Sequence, residues 1–168
     1  LTQEEARLLF NYDEKTGKLF WKKRDGENSF NSRNTIKAAG TKTKDGYTRI
    51  DYNGIKYMAH RIAYIHKNGP IPEGYIIDHR KSHLKSLNTP ENIRICTYLQ
   101  NSYNRKPFGK SGLKGVYLNK RTGKYDVYIT ENGKKHFLGS FRSKYKGALV
   151  YNKAAELYHG EFAYYNKI

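Results

Sequence analysis

The sequence predicts an α+β chain built in two successive parts, and three observations carry that expectation. Asn53-Gly54 and Asn132-Gly133 each stand between Tyr- and Ile-bearing segments, the strongest short signal for a two-residue hairpin turn. Thr2 with Glu5, and Thr97 with Gln100, have the three-residue spacing of a capping box, so a helix should open after each threonine. After Asn104 the composition resets through RKPFGKSG, a basic stretch bearing Gly and Pro that reads as a linker over residues 105–112.

The elements follow in order. A short helix should run from Gln3 to about Phe10, with Leu8 and Leu9 as its apolar pair. Lys15-Thr16-Gly17 lies between aromatic segments and reads as a turn leading into a strand through Phe20 and Trp21. Residues 25–45 are rich in Asn, Ser and Lys with little periodicity, and read as an exposed loop, either lying along a phosphate backbone or merely solvated. Residues 47–51 and 55–58 form the arms of the first Asn-Gly hairpin. A helix over residues 59–67 should turn Ile62, Ala63, Ile65 and His66 inward and stop at Asn68-Gly69-Pro70. Tyr75-Ile76-Ile77 then reads as a short buried strand running into Asp78-His79. In the last third, strands are expected at residues 115–118, 124–130 and 135–139. A helix capped by Ser143 should run to about His159 and end at Gly160. Its inward residues at i, i+3, i+4 spacing would be Tyr145, Ala148, Leu149, Asn152, Ala155 and Tyr158-His159.

Composition narrows the function. Lys and Arg number 32 against 15 Asp and Glu, a formal net charge of +17, which makes a polyanion the expected partner. The charge divides evenly: residues 1–106 hold 20 basic and 11 acidic side chains, net +9, and residues 107–168 hold 12 and 4, net +8. Both parts should therefore touch nucleic acid. No apolar run reaches the roughly 18 residues of a membrane helix, and residues 1–10 lack a basic segment followed by an apolar one, so neither a span nor a signal peptide is expected. The single Cys96 excludes an intramolecular disulfide and a thiolate zinc cluster. The 14% aromatic content argues against disorder, leaving a folded cytosolic protein as the expectation.

The chemistry concentrates in IIDHRKSHLKSLNTPENIRICTYLQN, residues 76–101. Phosphodiester hydrolysis needs an activated water, charge neutralisation at the phosphate and help for the leaving 3′ oxygen. A histidine near neutral pKa can supply the first, and one hard cation on oxygen ligands the other two. Asp78 and His79 are adjacent at a strand end, so their side chains point to different sides. Asn101 falls in the helix opened by Thr97, and Asn92 lies before that helix, where it can hydrogen-bond the loop carrying His79.

These residues resemble the HNH endonucleases, particularly the phage and intron-associated homing type. The resemblance rests on LLFNYDEKTGKLFWK, GYTRIDYNG, AHRIAY, the Asp-His pair, ENIR and TYLQN, and covers about residues 2–104. It implies a ββα-metal (His-Me finger) nuclease domain over residues 1–104 with its core at about 74–104. It makes His79 the general base, and Asp78 with Asn101 the ligands of one Mg²⁺, Mn²⁺ or other divalent ion. Asn92 becomes the asparagine that braces the finger, and His60 of the Ala-His-Arg triplet a possible supporting residue. The loop after His79 departs from the family, lacking its Gly and running one residue longer. His83 within it reads as solvent-facing, and His136 and His159 as structural.

The last third, in SGLKGVY, GKYDVYI, HFLGSF and AAELYHGEFAYYN, resembles the ethylene-response-factor (APETALA-type) DNA-binding domain. That implies, over residues 113–168, a three-stranded antiparallel sheet packed on one helix, its outward face laid in the major groove. Val116, Val127, Ile129 and Leu138 would pack on Ala148, Leu149 and Ala155. Tyr117, Asn119, Lys120, Arg121, Lys124, Tyr128, Lys134 and Lys135 would face the DNA. Few arginines stand on that face, so anchoring should rest mostly on phosphates. Together the two resemblances imply a divalent-metal-dependent endonuclease acting on double-stranded DNA as a monomer or homodimer. The other readings are a DNA-binding regulator with a decayed nuclease site and a basic RNA-binding protein.

Overall fold

A computed structural model describes residues 1–26 and 29–168, which form two compact units, Leu1–Thr97 and Tyr98–Ile168. In the first, α1 (Gln3–Leu9) opens on a complete capping box. Thr2 Oγ1 accepts from the Glu5 N–H at 3.1 Å and Glu5 Oε2 accepts from the Thr2 N–H at 2.7 Å. The helix ends one residue earlier than expected, because Phe10 already begins β1 (Phe10–Asp13), which pairs antiparallel with β2 (Lys18–Trp21). Phe10 and Trp21 face each other in that ladder, their rings 4.4 Å apart.

Residues 25–45, expected as a loop, contain structure. Ser29–Asn34 is a helical turn, α2; Ala38 bridges to Phe20; and Thr41–Lys42 is a short strand, β3. Residues 27 and 28 of that stretch lie outside the described residues. Two side chains explain the order in so polar a segment. Asn31 accepts from the Arg24 N–H and donates to the carbonyls of Arg24 and Gly26, each at 2.9 Å. Phe30 packs edge-on against Trp21 and carries the Arg24 guanidinium on its face at 3.7 Å.

β3 joins β4 (Thr48–Tyr52) and β5 (Ile55–Met58) in an antiparallel sheet. Asn53 and Gly54 between them both take positive φ, as a type I′ hairpin requires. α3 (Ala59–Asn68) follows directly and stops at Gly69. Its last carbonyls, which have no partner within the helix, accept from α1: Arg7 Nε donates to His66 O at 2.9 Å, and Gln3 Nε2 to His66 O and Lys67 O at 3.3 Å. The core gathers Ala6, Phe10, Leu19, Ile50, Ile62, Ala63, Ile77 and Ile93. The last two come from the ribbon that holds Asp78 and His79, β6 (Tyr75–His79) paired antiparallel with β7 (Ile93–Thr97).

The second unit begins with α4 (Tyr98–Tyr103), ahead of the expected linker, and its side chains explain why. The Tyr103 ring stacks on His159 at 3.8 Å and 7°, and its hydroxyl accepts from the Asn132 N–H at 2.9 Å. Lys114 Nζ donates to the carbonyls of Ser102 at 3.2 Å, Tyr103, and Arg105 at 2.8 Å, closing the end of α4. Burial of that ammonium lowers its pKa to about 8. Strands β8 (Val116–Asn119), β9 (Lys124–Glu131) and β10 (Lys134–Phe141) form an antiparallel sheet in the order β10-β9-β8, with a bulge between Phe137 and Gly139.

α5 (Lys144–His159) is capped by Ser143 and packs on this sheet. Its buried residues are Gly147, Ala148, Tyr151, Ala155 and His159, which corrects the expected face. Leu149 and Tyr145 are each 51% exposed, whereas Tyr151 is 2% exposed and fills the space over Val116, Val127 and Ile129. Periodicity alone favours the branched aliphatic; packing favours the larger ring above small neighbours.

Candidate active site

Strand pairing sets the site before any side chain is considered. In the β6–β7 ladder Asp78 stands opposite Arg94 and His79 opposite Ile93. Alternation along the strand sends the carboxylate and the imidazole to opposite faces. Asp78 Oδ2 accepts from Arg94 Nε at 3.1 Å and Nη2 at 2.9 Å, with both residues 7% exposed. Such a charge-assisted pair fixes where the carboxylate lies.

His79 is also buried, and its Nε2 stands 2.9 Å from Asn88 Oδ1. Its ring meets His60 edge-on at 5.1 Å and Tyr47 at 5.8 Å. Burial lowers the imidazole pKa below its ordinary value, while the Asn88 hydrogen bond and the Asp78 charge oppose that shift. His79 is therefore neutral at neutral pH, the state a base requires. Burial acts more strongly on His60, assisted by His79 and Arg61, and takes it down to about 3. His60 Nδ1 has no hydrogen-bond partner among the described residues. His83 is exposed.

Between the two strands, residues 80–92 are organised from inside by Asn92. Its Oδ1 accepts from the Lys81 N–H at 3.0 Å, and its Nδ2 donates to Leu84 O at 3.3 Å and Leu87 O at 2.7 Å. Main-chain bonds from Leu84 to Lys81 and from Leu87 to Leu84 complete two successive turns. One amide thus satisfies three backbone groups, and this supplies order in a loop that contains no Gly. Asp78, His79 and Asn92 are held on one ribbon and its loop, while Asn101 is a partly exposed residue of α4.

Two residues of this site escaped the sequence reading in their roles, Arg94 as the partner of Asp78 and Asn88 as the partner of His79. Arg94 was visible only as part of ENIR; the pair needs the strand register, in which position 78 meets position 94. Asn88 sits in the atypical loop, nine residues beyond His79, and nothing local in the sequence ties it to the ring.

A hard divalent cation takes oxygen ligands and, where it serves phosphate chemistry, one or two carboxylates suffice because water and substrate complete the shell. The Asp78 carboxylate in the first unit and the Asn101 amide oxygen in the second are each donors of that chemical type. A carboxylate has about four lone-pair positions, so a guanidinium on Oδ2 and a cation on the same group are compatible in donor chemistry.

In the second unit, register places Tyr117, Asn119, Lys124, Asp126, Tyr128, Lys135, Phe137 and Ser140 on the sheet face away from α5. Lys134 pairs with Glu131 on the other side, so it does not share a face with Lys135 as expected. Lys135 Nζ lies over the Tyr128 ring at 4.0 Å and the Tyr117 ring at 5.5 Å. Lys120 and Arg121 are exposed in the β8–β9 turn. The Asn119 amide is occupied locally: Nδ2 donates to Asp126 Oδ2 at 2.9 Å and Oδ1 accepts from the Arg121 N–H at 3.1 Å. Hydrogen bonds from Ser140 and Asn119 lower the pKa of the Asp126 carboxyl, which keeps an anion in the middle of this face.

Comparison with known proteins is informative over this same region. The family model for HNH endonuclease matches residues 57–103. The chain is 34% identical over 127 residues to "Uncharacterized HNH endonuclease L560" of Acanthamoeba polyphaga mimivirus, across 74% of this chain and 65% of that protein. It is 38% identical over 102 residues to "Protein 3.8" of Escherichia phage T7, across 57% of this chain and 79% of that protein. The chain therefore spans just under two thirds of the length of the mimivirus relative. No solved structure matches.

Proposed function

We propose that this chain, whose residues 57–103 match the HNH endonuclease family, is a divalent-metal-dependent endonuclease of the homing type, hydrolysing phosphodiester bonds in double-stranded DNA. The observation that carries the reading is the buried His79, next to Asp78 in β6, with Asn88 Oδ1 2.9 Å from its Nε2. An amide oxygen only accepts, so the imidazole proton sits on Nε2 and the basic nitrogen is Nδ1. Nδ1 takes the proton of the attacking water. Asn88 then stabilises the imidazolium that results, and Asn92 keeps the loop from shifting as the charge changes.

Asp78 and Asn101 are assigned to one Mg²⁺, Mn²⁺ or similar ion. When bound, such an ion supplies charge neutralisation at the scissile phosphate and at the departing 3′ oxygen. Arg94 holds the Asp78 carboxylate in one orientation for that task. His60 supports the His79 ring from its edge.

The C-terminal unit is assigned as an APETALA-type DNA-binding domain. Tyr117, Lys124, Tyr128 and Lys135 form its face, Lys120 and Arg121 reach from the turn, and Asn119 orders that turn. Lys134 contributes charge at the hairpin tip. One site cuts one strand, so a monomer nicks and a homodimer or two events give a double-strand break.

The ligand assignment is tested by titrating Mn²⁺ into cleavage reactions of Asp78→Asn and Asn101→Ala. Each variant should need about 10-fold or more metal for half-maximal rate while DNA affinity without metal stays unchanged. An unshifted metal dependence in Asn101→Ala removes that residue from the ligand set.

A further inference from the structure

The motif Asn-Tyr-Asp-Glu-Lys-Thr-Gly, residues 11–17, has no part in the reaction described above, yet its turn ends on the loop that holds the partner of His79. From β1, Tyr12 donates its hydroxyl to the Asn88 carbonyl at 2.5 Å. Asp13 shapes the turn that follows: Oδ1 accepts from the Lys15 N–H at 3.0 Å, Oδ2 from the Thr16 hydroxyl at 2.6 Å, and its carbonyl from the Gly17 N–H at 2.8 Å. Gly17 itself has φ +70°, and a Cβ there would stand 2.6 Å from the backbone nitrogens of Asn88 and Thr89. Those are main-chain atoms that cannot rotate aside, so only glycine fits. The hairpin is anchored in the core independently, through Phe10 and Leu19 at 0% and 2% exposure. The Tyr12 hydroxyl and the Gly17 approach are thus additional contacts, and both converge on the main chain at Asn88.

We propose that this hairpin is part of the catalytic apparatus, with Tyr12 and Gly17 as positioning residues that hold Asn88 and, through it, the Nε2-protonated form of His79. The inference rests on the reading of His79 as the base. Burial, reinforced by Glu14, Glu91 and Asp13, pushes the Tyr12 pKa upward, so the hydroxyl remains a donor at every working pH. With Asn88 3% exposed and its Oδ1 2.9 Å from the ring, a small displacement of its backbone breaks the geometry that selects the tautomer.

The experiment uses the full chain in three forms, wild type, Tyr12→Phe and His79→Ala. It reads the ¹⁵N shifts of the His79 imidazole at pH 8 without metal, the cleavage rate at saturating DNA with Mn²⁺, and the Kd for DNA. Wild type should show one tautomer, protonated at Nε2. Tyr12→Phe should show a mixture and cleave about fivefold more slowly, the cost of one hydrogen bond, with Kd unchanged. Tyr12→Phe removes one oxygen and keeps the ring, so it reads the contact even where Gly17→Ala prevents folding. A Tyr12→Phe protein with the wild-type tautomer overturns the proposal whatever its rate. If His79→Ala cleaves at the wild-type rate, the base itself is misassigned and the proposal goes with it. If His79→Ala is inactive while Tyr12→Phe matches wild type in rate and tautomer, only the role of the hairpin is lost.

Discussion

At the scale of single residues, two imidazoles 5.1 Å apart meet different fates because their surroundings differ. Both lose water on folding, but His79 has an amide oxygen at Nε2 and a carboxylate beside it, whereas His60 Nδ1 has no hydrogen-bond partner among the described residues. The shifts have opposite uses but one sign. A histidine whose folded pKa lies below its unfolded value binds fewer protons folded than unfolded, so its stability contribution is present above the unfolded pKa of about 6.5 and is lost as pH falls. For His60, with a folded pKa of about 3, the window runs from about 6.5 down to 3. Thermal melts should therefore show stability falling by up to about 1.4 kcal/mol per pH unit across that window. His60→Phe should flatten the slope; an unaltered slope would show that another group is responsible. The same direction at His79 places the acid limb of cleavage below pH 6.5, and a half-maximal point above 6.5 would contradict it.

Among elements, the β6–β7 ribbon shows what was legible in the sequence and what was not. The strand into Asp78-His79, the Asn-Gly hairpins and the Ser143-capped helix were all legible, because each depends on residues adjacent in the chain. The Asp78–Arg94 pair was not, since it is a property of the register between two strands separated by a 13-residue loop. α2 was missed for a related reason. Its order comes from Asn31 reaching back to Arg24 and from Phe30 on Trp21, contacts that leave no periodic trace. The face of α5 was misread because Tyr151 outcompeted Leu149 for the space over the sheet.

The Asp78–Arg94 ion pair is buried. Removing one partner leaves an uncompensated charge at 7% exposure, so Arg94→Met should cost about 3–5 kcal/mol. The double variant Arg94→Met/Asp78→Asn leaves no charge behind, and should be clearly less unstable than the sum of the two single changes. Additive losses in chemical denaturation would mean that the two side chains do not act as a pair.

The whole molecule carries its +17 as +9 over residues 1–106 and +8 over residues 107–168, so neither part is a neutral passenger. If the two together contact some six to ten phosphates, affinity for DNA should fall by about 10³ or more between 50 and 200 mM salt. A shallow slope, equivalent to about two or three contacts, would mean that only one part touches DNA.

The charge points to nucleic acid as the partner, and the role proposed for His79 on the β6–β7 ribbon to what happens there. The most direct test of that claim is the conversion of supercoiled plasmid to nicked circles at low salt, with Mg²⁺ or Mn²⁺ added or withheld, for wild type and His79→Ala. Wild type should nick only with metal, and His79→Ala should nick about 10²- to 10⁴-fold more slowly at equal DNA binding. A wild-type protein that leaves the plasmid intact with both metals, or a His79→Ala protein that nicks it equally fast, contradicts the account.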